Sequence, residues 1–163
     1  MFIPFEQMPK KARVWVYQAN RELTSNECET IEAALAHFLE QWTAHNQNLK
    51  ASGGIFRQRF VILALDEDFN AASGCSIDAS VHFLQDLGKQ LHVEFFDRSV
   101  AFLSQDDVLQ TAELKDLTQH IEQGIIQEDT LIFNNLVKNI EELEHSWQQA
   151  AKASWMARYF QNV

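Results

Sequence analysis

Hydrophobic residues cluster in several short segments of the chain, and two of these segments predict strands. Arg13–Gln18 is rich in β-branched and aromatic side chains, which favours a first strand. Phe60–Leu65 is apolar at every position, which is typical of a central strand that is covered on both faces. Just before it, Ile55–Arg59 alternates like a half-exposed strand that continues into Phe60–Leu65. Ala51–Gly54 precedes these residues and predicts a flexible turn.

Two further segments carry apolar residues at helical spacing. Thr24 and Glu27 form a capping-box sequence, which predicts the start of the first helix. Its apolar stripe consists of Ile31, Leu35, Phe38, Trp42 and His45. A second helix is predicted from about Ser76 to Gln90, with an apolar stripe of Ile77, Val81, Leu84 and Leu91 that Phe83 and Leu87 widen. Its polar face carries Asp78, His82, Gln85, Asp86 and Lys89.

The second half of the chain has weaker patterns. Residues 93–96 and 99–103 predict one bent strand or two short strands, and residues 107–123 have helical spacing that ends at Gly124. Residues 130–137 favour a last strand. From Asn139 onward, apolar residues at steps of three and four predict a long terminal helix.

The order of these elements predicts the fold class. Successive right-handed crossovers of strand, helix and strand make the strands parallel. We therefore expect an α/β fold, with α+β as the alternative: one three-layer domain in which helices flank a mixed, mostly parallel sheet of three to five strands. The composition does not change along the chain, so we expect a single domain over residues 1–163 with an N-terminal arm at residues 1–11.

Composition and charge narrow the classes of partner. The net charge of −10 disfavours binding to nucleic acid and to anionic membrane surfaces. The longest apolar run is Phe60–Leu65, which is too short to span a bilayer. Cys28 and Cys75 form no CxxC motif and have no His at zinc spacing, and two separate thiols fit a reducing compartment. We expect a cytoplasmic protein without a cofactor.

The candidate chemistry lies where parallel strands would end. Arg21 follows the first strand, Asp66 follows the central strand, and Cys75 and Ser76 open the second helix. Amide groups and the dipole at a helix start favour a thiolate at Cys75, which makes it the candidate nucleophile. The same amides could instead hold a small anion, with Gly74 allowing close approach and Arg21 adding positive charge. The simpler alternative is that the residues around Cys75 only cap the helix.

The acidic turn after the central strand resembles a calcium loop in its spacing of Asp66, Asp68 and Asn70. Ala71 stands where that loop requires glycine, and Ile77 stands where it requires a bidentate glutamate. Calcium is therefore excluded, and we expect no metal. Asp66 and Asp68 remain weak candidates for magnesium.

Much of the chain resembles a family of uncharacterised small bacterial proteins whose members often carry the label "ABC transporter ATPase". The resemblance is carried by Val14–Arg21, Phe38–His45 and Ala72–Ser80. The family implies no established activity for this chain.

The label can be compared with the residues themselves. Residues 51–54 and 57–59 are similar to an ABC signature sequence, and residues 61–67 are similar to a Walker B strand, in which Asp66 would hold magnesium and Glu67 would polarise water. The P-loop is absent, because the single Gly-Lys pair, Gly88-Lys89, is followed by Gln90 and lacks the earlier glycine. ABC-type ATP hydrolysis is therefore not expected.

Three functions follow from the sequence. The first is binding of a small anionic molecule near Cys75, with Arg21, Asp66 and Ser76 in contact with it. The second is a thiol enzyme or redox-responsive protein that uses Cys75. The third is a homodimer or larger oligomer formed through the N-terminal arm or the terminal helix, where aromatic residues are typical of an interface.

Overall fold

The structure is a computed structural model, and it describes residues 1–161. The helices are α1 (Ser25–Gln41), α2 (Gly74–Leu91), α3 (Leu117–Glu122) and α4 (Ile140–Ser146). The strands are β1 (Arg13–Gln18), β2 (Thr43–Ala44), β3 (Gln47–Asn48), β4 (Ala51–Phe56), β5 (Phe60–Leu65), β6 (Val100–Leu103), β7 (Leu109–Ala112), β8 (Leu131–Phe133) and β9 (Gln148–Ala150). The chain forms two compact units, the first from residues 1–97 and 136–143, and the second from residues 98–135 and the described residues from 144 onward.

The first unit is built on a three-stranded sheet in the order β1-β5-β4. β5 is antiparallel to both neighbours, with Gln18 of β1 opposite Phe60 and Arg13 opposite Leu65. β1 and β4 therefore run in the same direction, and α1 connects them while β5 lies between them. The arrangement is a split β-α-β unit. The prediction that Phe60–Leu65 is a central strand buried on both faces is confirmed.

The prediction of a mostly parallel α/β sheet is wrong, because the fold is α+β and its sheets are antiparallel.

The predicted turn at Ala51–Gly54 is the first part of strand β4. Ile55–Arg59 does not run straight into β5, since the chain reverses at Arg57 and Gln58, where φ is 56° and 52°. Positive φ at both central residues is what tight two-residue hairpin turns require, and glycine or asparagine usually supplies it. Because positions 57 and 58 are neither glycine nor asparagine, the hairpin turn could not be predicted from the sequence.

Both long helices of the first unit begin at capping boxes. The Thr24 hydroxyl accepts from the amide of Glu27 at 3.1 Å, and the Glu27 carboxylate accepts from the amide of Thr24 at 2.9 Å. Ser73 and Ser76 make the same reciprocal pair at the start of α2, at 3.1 and 2.8 Å. The predicted start of α1 is confirmed, and the predicted start of α2 is correct to within two residues.

The core of the first unit lies between the sheet and the two helices. Its fully buried members include Val61, Leu63 and Leu65 of β5, Ile31, Leu35 and Leu39 of α1, and Leu84 of α2. Burying each such side chain contributes about 2 kcal/mol. α1 lies so close to β4 that a Cβ atom on Gly53 would come within 2.9 Å of Leu39.

The N-terminal residues pair with the sheet of the first unit. The amide of Ile3 donates to Ala51 of β4 at 2.9 Å, and the amide of Ala51 donates to Met1 at 3.0 Å. The ring of Phe5 packs edge-on against Phe56, with 5.3 Å between centroids. The expectation of a single domain over residues 1–163 stays a prediction.

The second unit contains a four-stranded antiparallel sheet in the order β7-β6-β8-β9. Its core consists of Val100, Phe102, Ala112, Leu117, Ile126, Ile132, Ala151 and Met156. The helix predicted over residues 107–123 is strand β7, a 3-10 turn and the short helix α3. The strand predicted within residues 130–137 is confirmed as β8.

The prediction of a long terminal helix from Asn139 onward is also wrong. α4 ends at Ser146, and the following residues form β9, which pairs with β8. Trp147 explains the change, because its buried ring packs against Phe133 and its indole N–H donates to Asn135 at 3.0 Å. Its carbonyl accepts from the amide of Asn134 at 2.6 Å. These contacts with the neighbouring strand override the helical spacing.

Candidate functional site

Arg21 forms an ion pair within the protein, so its guanidinium does not point into an open ligand site. Its guanidinium binds the carboxylate of Glu27 through two hydrogen bonds of 2.9 and 2.6 Å, and it also donates to the carbonyl of Leu91 at 3.1 Å. The pKa of Glu27 falls from its usual 4.5 to about 2, mainly because Arg21 hydrogen-bonds the charged form and also because Thr24 donates to it. Arg21 therefore joins the first turn of α1 to the last residue of α2.

Ser76 is likewise a structural residue. It is buried, and its hydroxyl closes the capping box with Ser73. Its carbonyl accepts the indole N–H of Trp42 at 2.9 Å. Trp42 follows the last residue of α1, so this bond joins the end of α1 to the start of α2.

Cys75 lies beside Ser76 but faces solvent, and Cys28 is half-buried. Burial raises the pKa of the Cys28 thiol, and the nearby carboxylates of Glu32 and Glu27 raise it further. Cys75 is thus the accessible thiol of the two.

The acidic turn after β5 is engaged with its own backbone and with basic side chains. Asp66 accepts from the amide of Asp68 at 3.1 Å, and Asp68 pairs with Lys11. Glu67 accepts from the amide of Ala72 at 3.1 Å and lies 3.6 Å from Arg13. Among residues 1–161, no group of three or more His, Cys, Asp or Glu side chains is placed to hold a metal ion.

The structure does not bring the predicted site residues together. Arg21 binds Leu91 at the carboxyl end of α2, whereas Cys75 is at its amino end, and the helix separates them by about 24 Å. Because β1 and β5 are antiparallel, the end of β1 lies beside the start of β5. Arg21, which follows β1, and Asp66, which follows β5, are therefore at opposite ends of the strands. A site built from Arg21, Asp66 and Cys75 required parallel strands.

The same contacts define a different feature, a surface groove between α1 and α2. The start of α1 is held to the end of α2 by Arg21, and the end of α1 is held to the start of α2 by Trp42. The helices are therefore antiparallel neighbours that are fixed at both ends. The groove between them has a volume of about 500 Å³ and is lined by Ala34, His37, Phe38, Gln41, Trp42, Thr43, Ala79, Phe83, Asp86, Leu87 and Gln90.

Aromatic rings form much of the lining of the α1/α2 groove. Phe38 of α1 stacks on Phe83 of α2, with 4.5 Å between ring centroids and 12° between ring planes. Phe38 also contacts Trp42 at 5.7 Å, and Trp42 packs edge-on against Trp15 of β1 at 6.1 Å. The two phenylalanines are half-buried, whereas Trp42 is almost fully buried. The network connects the surface groove to the core.

Polar groups also line the groove. His37 and Gln41 come from α1, and Asp86 and Gln90 come from α2. Asp86 is the one carboxylate among these lining residues, which include neither lysine nor arginine.

Several of the groove residues were identified from the sequence, but other roles were predicted for them. Phe38, Phe83 and Leu87 were expected to be core residues, and Asp86 was expected to lie on the wet face of the second helix. The usable signal was the width of the apolar stripe on the second helix, which Phe83 and Leu87 extend. Sequence spacing alone does not reveal that this stripe faces the stripe of the first helix.

A second cavity of about 700 Å³ lies near the carboxyl end of α2 and is lined by Asn20, Leu84, Gln85, Gly88, Lys89, His92, Val93, Glu94, Phe95 and Phe96. Its polar residues carry charges of both signs. Asn20 is occupied in two hydrogen bonds with Glu94, because its amide donates to the Glu94 carbonyl and its side-chain oxygen accepts from the Glu94 amide. The α1/α2 groove has the more continuous aromatic surface.

Comparison of the chain with protein-family models, with curated proteins and with solved structures finds no match. Membership of the small bacterial family therefore stays a prediction. No helix within residues 1–161 combines the length and hydrophobicity needed to cross a bilayer.

Proposed function

We propose that the first unit is a binding domain for a small, mainly apolar organic molecule, which it holds in the α1/α2 groove. The observation that carries the proposal is the half-buried aromatic pair Phe38 and Phe83, which a soluble ligand of similar shape would cover. The groove volume of about 500 Å³ lies within the range of small-molecule sites.

The rigid frame of the groove supports the same proposal. A preformed site loses less conformational entropy on binding than a flexible one. Here Arg21 and Trp42 fix the two ends of the helix pair, and both helices are capped. Anion binding near Cys75 has less support, because Arg21 is paired with Glu27 and lies at the other end of α2.

The oligomer and thiol hypotheses also have less support. The expected terminal helix is replaced by a strand and 3-10 turns, and the N-terminal residues pair with β4 of the same chain. Cys75 is exposed, but no described hydrogen bond or ion pair connects its thiol with a base. Catalysis is therefore not part of the proposal.

The direct test is a titration of the purified protein with 2-(1-naphthyl)ethanol, a neutral two-ring probe. Covering about 200 Å² of its apolar surface contributes about 5 kcal/mol, so the expected dissociation constant is about 0.1–1 mM. Replacing Phe83 by alanine removes one face of the aromatic pair and is expected to weaken binding about tenfold. The matched control is Phe69→Ala, which removes an exposed phenylalanine outside the groove.

Ala79→Leu provides a second variant that fills the groove without removing any side chain from the core. It keeps a good helix former in α2 and should also abolish probe binding. Equal affinity in the parent protein, Phe83→Ala and Ala79→Leu would overturn the proposal, as would the lack of saturable binding to the parent.

A further inference from the structure

The charge around the α1/α2 groove indicates the chemical class of its ligand. Asp86 is exposed and makes no ion pair with any residue in the part of the chain that the structure describes. It lies three residues after Phe83, so both side chains project from one face of α2 toward the groove. A ligand whose apolar body covers Phe83 would therefore place one end beside the Asp86 carboxylate.

The rest of the lining contains no lysine or arginine to offset this charge. Its other polar members, His37, Gln41, Thr43 and Gln90, carry hydroxyl, amide or imidazole groups. The net charge of the chain is also −10, which raises the local concentration of cations and disfavours anions over the whole surface.

We infer that the ligand of the α1/α2 groove is a small organic cation, in which an ammonium or guanidinium group is attached to an apolar or aromatic body. The inference rests on the proposed function, because it assigns a charge to the ligand of the same groove. The body packs against Phe38 and Phe83, and the charged group pairs with Asp86. The amides of Gln41 and Gln90 offer carbonyl oxygens for the remaining N–H groups.

The test compares three probes that share one naphthalene body: 2-(1-naphthyl)ethylamine as the cation, 2-(1-naphthyl)ethanol as the neutral form and 1-naphthaleneacetate as the anion. The amine is expected to bind the parent protein about threefold to fivefold more tightly than the alcohol, which is the range of a solvent-exposed ion pair. The acetate is expected to bind most weakly, and added salt should reduce all three differences.

Asp86→Asn keeps the size of the side chain and removes its charge. It should bring the amine and the alcohol close to equal affinity. The matched control is Asp78→Asn, which changes the net charge by the same amount on the same helix but does not line the groove. In that variant the preference for the amine should persist.

The outcomes separate this inference from the proposed function. Failure of the neutral alcohol to bind in the groove overturns the proposed function and the inference together. Binding of the alcohol without a preference for the amine overturns the inference alone, and so does an equal loss of preference in Asp86→Asn and Asp78→Asn. Probe binding that appears only when the protein is diluted identifies a second copy of the chain as the occupant and overturns both.

Discussion

The indole N–H of Trp42 donates a buried hydrogen bond of 2.9 Å to the carbonyl of Ser76, and this bond joins residues that are 34 positions apart in the chain. Trp42 is at the end of α1 and Ser76 is in the first turn of α2. The same tryptophan ring lines the α1/α2 groove and contacts Phe38. The bond that fixes the helix pair therefore also orients part of the surface that we propose binds the ligand.

Replacing Gly53 by alanine should destabilise the first unit. The new Cβ atom would lie 2.9 Å from a terminal methyl group of Leu39 and 3.1 Å from the backbone oxygen of Ile62, so the buried Leu39 side chain, or α1 with it, must shift. Overpacking of this kind costs about 1–3 kcal/mol, which urea denaturation would measure. Gly54→Ala is the control, because its nearest neighbour would be Phe56 at 3.8 Å. Equal stability of the two variants would contradict the close approach of α1 to β4.

Ser52 and Ser76 should respond in opposite ways to alanine. The Ser52 hydroxyl is fully buried and has no hydrogen-bond partner among the described residues. Its removal should raise the free energy of unfolding by about 1 kcal/mol. Ser76→Ala breaks the capping box of α2 and should lower that free energy by about 1 kcal/mol. Destabilisation by Ser52→Ala would show that the hydroxyl is satisfied in solution.

The ion pair between Arg21 and Glu27 should make stability depend on pH in the acid range. The folded-state pKa of Glu27 is depressed from 4.5 to about 2, so its contribution is present above about pH 4.5 and is lost as the pH falls toward 2. Because the pair is partly exposed to solvent, we expect about 1 kcal/mol rather than the full value that the pKa implies.

Glu27→Gln isolates this effect, since glutamine can still close the capping box with Thr24. Denaturation curves at pH 6 and pH 2.5 should separate the variant from the parent protein at the higher pH and bring them together at the lower. Glu29→Gln, an exposed change on the same helix, should show no such pH dependence. A constant difference between parent and Glu27→Gln at both pH values would rule out the assigned role of the pair.

The two thiols should differ in their rate of alkylation. Cys75 is exposed, whereas burial and nearby carboxylates raise the pKa of the half-buried Cys28. At pH 7.5 N-ethylmaleimide should modify Cys75 at least about tenfold faster, because only the thiolate reacts and only an accessible thiolate can be reached. Mass spectrometry of Cys28→Ser and Cys75→Ser gives the two rates separately. Similar rates in these variants would contradict the positions of the thiols.

Local signals in the sequence predicted the helices and strands whose formation depends mainly on residues close in sequence. The capping box of Thr24 and Glu27 marks the start of α1, the second helix begins two residues before its predicted start, and Phe60–Leu65 is a central strand as its composition indicates. The direction of the strands could not be predicted in this way. It depends on the turn at Arg57 and Gln58, whose positive φ values are sustained by strand pairing rather than by local preference.

The same limit explains the terminal region and the candidate site. Trp147 fits a helical pattern, but its packing against Phe133 and its bond to Asn135 place it beside a strand instead. Arg21 and Cys75 each have the residue type that an anion site or a thiol site needs, yet they lie at opposite ends of α2. Phe38 and Phe83 form the groove only because α1 and α2 are antiparallel neighbours, which no spacing within either helix reveals.

The most direct test of the groove is a titration of ¹⁵N-labelled protein with 2-(1-naphthyl)ethylamine, followed through the indole N–H signals of its four tryptophans. Trp42 lines the groove, and Trp15 packs against the ring of Trp42. Trp147 and Trp155 belong to the second unit. A saturable shift of the Trp42 signal, with a smaller shift for Trp15 and none for Trp147 and Trp155, is the predicted result. A stationary Trp42 signal, or a larger shift at the exposed Trp155, would contradict ligand binding in the α1/α2 groove.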